Sequence, residues 1–308
     1  ISACLVGSEM CIRDRIYIRL SGRFGNYLFQ IAAGASLAKK YGTDFKVVVA
    51  PDTEAISTVS KESMWKYVSS FKENIFREIE FVHEVPGDVS LYSWRDFPYK
   101  PIPYDGGDLM IDGYFQSHEY IDNDLMQQLY AMPEAIGEKL TQKYGEILKQ
   151  PFTCIHVRRG DYCKLPHRFS ICSMNYFRKA VGLIGRETLF MVISDDLKWC
   201  KKHFKGRNFV FADKGNSMLE DFYLQSLATN NVISNSSFSW WGAWLNTNTD
   251  KKVFYPTPWF GPHYSHYDVS DLCPDEWCAL PNRTPFYYQL KSVWIRLEMK
   301  IRHRLERK

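Results

Sequence analysis

The chain has 308 residues, a formal net charge of +4, 45% hydrophobic residues and 24% charged residues. This length is enough for one large or two ordinary domains, and the composition is that of a globular protein. The small net charge argues against a nucleic-acid partner, and no apolar run reaches the roughly 18 residues of a membrane span. Eight cysteines without a CxxC pair argue against a zinc site and fit a reducing cytoplasm.

Residues 1–15 differ from the rest of the chain and resemble a translated sequencing-adapter scar. They are expected to be a non-native leader, with a short native extension as the alternative. The segment that follows predicts a strand over 16–20, a glycine-containing loop over 21–26, a helix over 27–41 and a strand over 45–49. This order is a βαβ unit.

A second cycle of alternating strands and helices begins at residue 152. Such alternation is typical of a doubly wound parallel sheet. A boundary at 150/151 therefore predicts two Rossmann-like domains, 16–150 and 151–285, facing a cleft. The predicted strands of the second domain are 153–157, 188–193, 208–211, 231–234 and 252–255, and its predicted helices are 174–184, 197–204, 217–228 and 239–245.

The most informative stretch runs from His156 to Asp161 and reads His-Val-Arg-Arg-Gly-Asp. It follows a short apolar run, so it lies at the carboxyl end of a strand, where open α/β sheets bind ligands. Arg158 and Arg159 point to opposite faces of a strand, so one can face a ligand while the other contacts the scaffold. A guanidinium offers a rigid fork that matches phosphate oxygens. The alternative for Arg159 and Asp161 is a structural salt bridge.

Four ordered motifs resemble those of family 11 of the glycosyltransferases, the α1,2-fucosyltransferases, in their bacterial form. The pattern His-x-Arg-Arg-x-Asp is similar to the first motif of that family, and three other stretches are similar to its glycine loop and its second and third donor motifs. A fifth segment, Asp-Gly-Tyr-Phe-Gln-Ser at 112–117, is also similar. The quoted motifs are 156–161, 22–30 (Gly-Arg-Phe-Gly-Asn-Tyr-Leu-Phe-Gln), 193–196 (Ile-Ser-Asp-Asp) and 234–242 (Ser-Asn-Ser-Ser-Phe-Ser-Trp-Trp-Gly).

This resemblance implies a GT-B architecture, with the acceptor bound by the N-terminal half and GDP-fucose by the C-terminal half. It also implies inverting transfer of L-fucose to a galactose-terminated glycan without an obligatory metal or other cofactor. Asp195 and Asp196 are adjacent, not spaced as Asp-x-Asp, which argues against a metal site. Two alternatives are a GDP-fucose transferase of another linkage and a nucleotide-sugar-binding protein that has lost catalysis.

The resemblance also assigns roles to the C-terminal motifs. Arg158 is expected at the β-phosphate, and His156 at the phosphate or guanine. Ser194 and Asp195 are expected at the donor, with guanine as a partner of Asp195; the alternative is that Asp195 caps the helix beginning at 197. The residues expected at the diphosphate are Ser236, Ser237 and Phe238, with a simple serine helix cap as the alternative reading, while Trp240 and Trp241 are expected in the core.

The N-terminal glycine loop is expected to face the donor across the cleft. Gly22, Arg23 and Phe24 belong to this loop, Gly25 permits close approach, and Asn26 is expected to donate to the glycosidic or phosphate oxygen. Arg158 and Asn26 are thus the expected catalytic residues. The general base stays unassigned, and its candidates are Asp161, Glu119 and His167.

The tail 286–308 combines apolar residues at helical spacing with many lysines and arginines. This pattern predicts a basic amphipathic helix. One interpretation is an interfacial helix that gives peripheral contact with the inner face of a membrane. The alternative is a terminal helix that packs on the body of the protein.

Overall fold

The computed structural model describes residues 14–49 and 64–306, and its first half is an α/β unit around a five-stranded sheet. The sheet has the strand order β3-β2-β1-β5-β4, and each pair of neighbours is parallel. The elements are β1 (Arg15–Arg19), α1 (Phe24–Tyr41), β2 (Asp44–Val48), α2 (Met64–Ser69), β3 (Phe81–Val82), β4 (Ser90–Trp94) and β5 (Leu109–Gly113).

The second half contains a six-stranded parallel sheet in the order β11-β10-β9-β6-β7-β8. The prediction of two parallel-sheet α/β domains is therefore confirmed. Two helices, α3 (Asn123–Leu129) and α4 (Glu134–Leu148), connect the two sheets. The elements that follow are β6 (Phe152–Val157), α5 (Met174–Ile184), β7 (Leu189–Ser194), α6 (Leu197–His203), β8 (Phe209–Phe211), α7 (Met218–Ser226), β9 (Asn230–Val232), α8 (Ser237–Trp244), β10 (Val253–Thr257), β11 (Cys278–Pro281) and α9 (Phe286–Glu306).

Local sequence explains the ends of several elements. Every residue of β6 is buried, as expected for a central strand covered on both faces. Helix α1 ends where Gly42 adopts a left-handed conformation with φ of 66°, the usual role of glycine after a helix. Helix α7 begins with a capping box between Ser217 and Glu220.

Helix α4 precedes the predicted boundary at 150/151 but packs on the second half. Lys143 pairs with Glu220 at 2.5 Å. The Tyr144 hydroxyl donates to Asn216 at 3.0 Å and accepts from the backbone amide of Asp213 at 2.8 Å. The chain therefore crosses between the halves before α4, although the two sheets divide as the sequence predicts.

The first strand begins one residue inside the expected leader. Arg15 belongs to β1, and its backbone amide donates to Asp108 at 2.9 Å. Residues 1–13 lie outside the described part of the chain, so the expectation of a non-native leader over 1–15 stays a prediction. Among the described residues, no helix is long and apolar enough to cross a bilayer.

Aromatic side chains join the two halves into one continuous core. Phe29 on α1 lies 4.5 Å from Trp240 and 5.1 Å from Trp241, measured between ring centroids. Both tryptophans are fully buried, which confirms that they are core residues. Because the rings pack α1 against α8, the N-terminal ends of these two helices meet, and this positions the candidate site.

Candidate functional site

The carboxyl end of β6 is held in place by Ser234. Its hydroxyl donates to the backbone carbonyl of His156 at 2.8 Å and accepts from the amide of Arg158 at 3.0 Å. This clamp from the end of the neighbouring strand β9 fixes the backbone at the point where the chain leaves the sheet. The side chain of Arg158 therefore projects from a defined position at the sheet edge.

Arg158 lies between two carboxylates. Its guanidinium donates to Asp161 at 2.7 Å and pairs with Asp195 at 3.0 Å, while a quarter of the side chain stays exposed. Burial acts to lower the pKa of Arg158, but Asp195, Tyr162 and Asp161 outweigh it and raise the pKa. The side chain is thus a fixed cation, and a guanidinium has five N–H groups, so donors remain for an anion.

Arg159 faces the scaffold, as the sequence predicts. Its Nε donates to Asp196 at 3.1 Å, and its terminal nitrogen donates to the Tyr288 hydroxyl at 3.2 Å. The guanidinium also lies 4.0 Å from the centre of the Trp199 ring, which is a cation–π contact. The two adjacent arginines therefore have separate functions, one at the cleft and one in the structure.

Asp195 has a role that the sequence did not indicate. Its Oδ1 accepts from the backbone amide of Arg159 at 2.9 Å, while its Oδ2 pairs with Arg158. A Cβ atom on Gly160 would lie 2.7 Å from Oδ2, so glycine is needed for this close contact. Asp196, not Asp195, caps α6 by accepting from Trp199 at 3.0 Å. Asp195 therefore orients Arg158, and its contact with guanine stays a prediction.

Ser194 is engaged by the protein itself. Its hydroxyl donates to the Val157 carbonyl at 2.8 Å and accepts from the amide of Asp196 at 2.9 Å. These bonds tie the end of β7 to the end of β6. Ser194 therefore stabilises the sheet edge, and its expected contact with the donor stays a prediction.

His156 is buried, and its Nδ1 has no hydrogen-bond partner among the described residues. Burial, together with the charge of Arg158, lowers the pKa of His156 from 6.5 to about 3. The ring is therefore neutral at physiological pH and lies 5.5 Å from the ring of Phe238. A buried polar atom without a partner is uncommon in native proteins, so Nδ1 is suited to binding a ligand.

The N-terminal ends of α1 and α8 meet at the same place. A Cβ atom on Gly25 would lie 2.6 Å from both the backbone nitrogen of Phe238 and the hydroxyl of Ser237. Gly25 therefore permits close approach of the two helices, and its expected approach to the donor stays a prediction. Neither Arg23 nor Ser236 caps its helix with a side chain. The convergence of two first turns favours an anion, because their amides and helix dipoles are both positive there.

Asn26 is oriented by two donors. Its Oδ1 accepts from Gln116 at 2.8 Å and from the Ser237 hydroxyl at 3.0 Å, so the orientation of its amide nitrogen is set. Gly22 has φ of +84°, and a Cβ there would overlap the Asn26 amide. Gln116 was not singled out as a site residue, although it lies in the fifth family-like segment. This network crosses from α1 to α8 and holds an amide donor at the junction.

Asp161 connects the two halves. Its Oδ1 accepts from Arg158, and its Oδ2 lies 3.6 Å from a terminal nitrogen of Arg23. The glycine loop of the first half therefore contributes a cation beside the strand-end arginine of the second. This ion pair is partly exposed, so it contributes little to the stability of the fold. Its main effect is to hold Arg23 and Asp161 close together.

The side chain of Phe24 lies in the core, and the expected place of this residue at the donor stays a prediction. Its side chain is 2% exposed, and its ring lies 5.0 Å from Phe71 and 5.1 Å from Phe222. The ring of Phe238 joins the same cluster, 5.5 Å from Phe222. The ring of Phe238 thus belongs to this aromatic cluster, and its expected contact with the diphosphate stays a prediction.

The three candidates for the general base lie in different environments. Asp161 alone contacts Arg158. Glu119 lies on an exposed turn, where its carboxylate is 3.7 Å from His118. His167 is buried with Nδ1 unpartnered among the described residues, and burial, followed by the nearby side chains of Arg168, His263 and Arg296, lowers its pKa. The base therefore stays unassigned.

Within ranges 14–49 and 64–306, no group of three or more His, Cys, Asp or Glu side chains is placed to hold a metal ion. Asp195 and Asp196 have different partners, Arg158 and the first turn of α6. The charged groups that converge at the junction of the halves are instead Arg158 and Arg23, which are paired with Asp161 and Asp195, and the two positive helix ends.

Two Rossmann-like domains whose strand-end arginine and helix N-termini converge between the halves define a protein of the GT-B class. A profile of the family described as Glycosyl transferase family 11 matches residues 10–280, and the chain belongs to that family. The match begins inside the expected leader.

Individual relatives cover part of the chain. The O-antigen biosynthesis glycosyltransferase WbnK of Escherichia coli is 39% identical over 139 residues, which cover 42% of this chain and 44% of that protein. An alpha-1,2-colitosyltransferase of E. coli is 36% identical over 137 residues, 41% of this chain and 46% of that protein. The chain thus spans less than half the length of these relatives. A crystal structure of NodZ alpha-1,6-fucosyltransferase, soaked with GDP-fucose, has 14% identity and a TM-score of 0.49, and covers 76% of this chain and 92% of that one.

Proposed function

We propose that the protein transfers L-fucose from GDP-fucose to a hydroxyl of a galactose-terminated glycan, forms an α1,2 linkage and inverts the anomeric configuration. Membership of family 11 supports glycosyl transfer. A relative from Bos taurus, 26% identical over 172 residues and covering 50% of this chain and 46% of that protein, is named a galactoside 2-alpha-L-fucosyltransferase. The colitosyl relative is likewise named for an α1,2 linkage.

The observation that carries the proposal is the convergence of Arg158, the Asn26 amide and the first turns of α1 and α8. A nucleotide diphosphate gains negative charge on its β-phosphate as the bond to the sugar breaks. Fixed cations and amide dipoles aimed at that position stabilise the transition state more than the ground state. Arg158 is held by Asp161 and Asp195 before the donor binds, so little reorganisation is needed during the reaction.

Inversion requires a single displacement. The acceptor oxygen forms a bond to C1 of fucose while the bond from C1 to the β-phosphate oxygen breaks, and GDP leaves with the bonding electrons. The acceptor proton passes to a general base. The base is one of Asp161, Glu119 and His167, and Asp161 is the one in contact with Arg158. No metal is part of this proposal, and activity is expected to survive EDTA.

A second candidate is the transfer of colitose in place of fucose. It is favoured by one observation, because the colitosyltransferase is 36% identical over the segment that it shares with this chain. The residues proposed for the diphosphate are the same for both sugars. Discrimination between the two sugars therefore depends on contacts to the sugar hydroxyls. A side-by-side assay of fucosyl and colitosyl donors measures this discrimination.

The decisive experiment is turnover of GDP-fucose with a panel of β-galactosides, followed by NMR of the product. We expect an α-anomeric fucose on the 2-hydroxyl of galactose. A product with another linkage supports the alternative transferase. Binding of GDP without turnover of either donor on any acceptor supports a protein that has lost catalysis. Addition of EDTA in the same assay tests the metal-free mechanism, which is wrong if chelation abolishes transfer and Mg²⁺ or Mn²⁺ restores it.

A further inference from the structure

Helix α9 exposes its apolar side. The exposed fractions are 55% for Leu290, 66% for Trp294, 53% for Leu297 and 59% for Ile301. These positions follow one another at intervals of three and four residues, so they form one stripe along the helix. The other members of the exposed stripe, which we call the α9 stripe, are Phe286, Tyr287 and Val293.

The opposite side of α9 packs on the protein and carries polar side chains together with the half-buried Ile295. The Tyr288 hydroxyl accepts from Arg159, and the Lys291 ammonium donates to the Cys163 carbonyl at 2.9 Å. Ser292 is 2% exposed. The expectation that the terminal helix simply packs on the body is therefore correct for its polar side only. The helix is anchored to the loop that carries the donor-motif arginines, while its apolar stripe faces away.

The dimensions and chemistry of the α9 stripe suit a lipid surface. Seven exposed apolar side chains cover roughly a third of the helix circumference, wider than the narrow seam of a coiled coil. From residue 286 to 301 the stripe extends about 22 Å at 1.5 Å per residue. Its aromatic members, Phe286, Tyr287 and Trp294, are residue types that favour the interface between lipid headgroups and hydrocarbon.

The positive charge of residues 286–308 favours an anionic partner. Residues 286–308 contain seven lysines and arginines but only two glutamates. Lys300 is exposed beside the stripe, and Arg302 is 72% exposed with a weak contact to Glu298 at 3.6 Å. Cations of this kind attract anionic headgroups. The same charges would repel a second copy of the helix, so a dimer through the stripe is disfavoured.

We propose that α9 binds in the plane of an anionic lipid surface, with the α9 stripe inserted between headgroups and the flanking cations on the lipid phosphates. The helix lies on the surface and does not cross it, in keeping with the finding on membrane-spanning helices above. Because α9 contacts Arg159 and Cys163, this binding holds the donor-motif loop close to the surface. The inference is independent of which sugar the site transfers.

Sedimentation of the full chain with vesicles tests this inference. We expect strong binding to vesicles of phosphatidylcholine and phosphatidylglycerol in a 3:1 ratio, weak binding to pure phosphatidylcholine, and a loss of binding in 0.5 M NaCl. Each substitution of a stripe residue by Gln should remove about half the transfer free energy of one large side chain, which corresponds to a factor of about five in the partition coefficient. The triple variant Leu290→Gln, Trp294→Gln, Leu297→Gln should therefore lower the partition coefficient about a hundredfold. Lys300→Gln with Arg302→Gln should lower it about thirtyfold.

A matched control replaces three exposed leucines elsewhere. Leu91, Leu183 and Leu227 are 59%, 54% and 39% exposed, and their substitution by Gln should leave vesicle binding unchanged. Thermal melting verifies that all variants fold. Equal binding of the wild type and the α9 triple variant would overturn the proposal, as would equal binding to neutral and anionic vesicles. A wild-type dimer that the triple variant converts to a monomer, without vesicle binding, would identify a second copy as the occupant and overturn it too.

Discussion

Replacement of Arg158 by alanine distinguishes a role of this residue in catalysis from a role in the stability of the fold. The substitution removes a guanidinium fixed at 2.7 Å from Asp161 and 3.0 Å from Asp195. Loss of one donor to a developing charge typically lowers kcat by about 10²–10³-fold, or roughly 2.7–4 kcal/mol. The three side chains are between 21% and 27% exposed, so water partly replaces the lost partners, and we expect a stability loss of about 1–2 kcal/mol. That corresponds to a decrease in Tm of a few degrees.

The matched control is Arg159→Ala. This side chain is more buried, contacts Asp196, Tyr288 and Trp199, and should cost about 3 kcal/mol of stability when removed. Its backbone bond to Asp195 survives the substitution, so the effect on kcat should be much smaller. Initial rates with GDP-fucose and thermal melting are measured for both variants. Arg158→Lys should not restore activity, because it lacks the planar fork. The reasoning is refuted if Arg158→Ala retains wild-type kcat, or if Arg159→Ala is the more damaging change for turnover.

Three further predictions concern Gly25 and Asn26 at the junction of α1 and α8, and His156 at the end of β6. Gly25→Ala should lower the free energy of unfolding by about 1–3 kcal/mol and reduce activity, because the new Cβ meets backbone at 2.6 Å. The control Gly182→Ala, whose Cβ has nothing within 4 Å, should raise the free energy of unfolding by about 0.5–1 kcal/mol. Equal melting temperatures of the two variants would contradict this packing. Asn26→Asp keeps both accepted hydrogen bonds but loses the amide donor and adds a negative charge, so kcat/KM should decrease about a hundredfold, and a wild-type value would exclude Asn26 from the mechanism. The pKa of His156 is lowered to about 3 in the folded chain, so between pH 7 and 5 only the unfolded chain takes up this proton. The free energy of unfolding of the wild type should therefore decrease by about 2 kcal/mol over this range, and that of a His156→Gln variant should not show this decrease. Urea unfolding measures both, and an equal pH dependence of the two proteins would contradict the neutral, buried state.

The elements with strong local patterns were predictable from sequence. Helix α5 begins and ends at the predicted residues, 174 and 184, because its apolar periodicity and the Ser173 cap are both local signals. Strand β6 was predictable from a continuous apolar run before a polar strand end. The alternation of a strand predicted the separate directions of Arg158 and Arg159, since this rule needs no tertiary information.

The remaining features depend on contacts between distant segments. Gly25 is needed because Ser237 and Phe238 pack on it across the two halves, and the sequence alone could not show this contact between distant segments. The engagement of Asp195 by Arg158 arises from the adjacent ends of β6 and β7. Strand β11 was missed because it is short and ends in a proline. In α9, periodicity located the apolar stripe but could not tell which side of the helix the protein would cover.

The central claim is that Arg158 and the converging helix ends bind the β-phosphate of the donor nucleotide. Calorimetric titration of GDP and GMP into the wild type and Arg158→Ala tests it most directly. The wild type should bind GDP about a hundredfold more tightly than GMP, as expected for charge-assisted hydrogen bonds worth roughly 3 kcal/mol, and the variant should reduce this preference to about tenfold or less. Equal affinity of the wild type for GDP and GMP, or an unchanged preference in Arg158→Ala, would contradict the account.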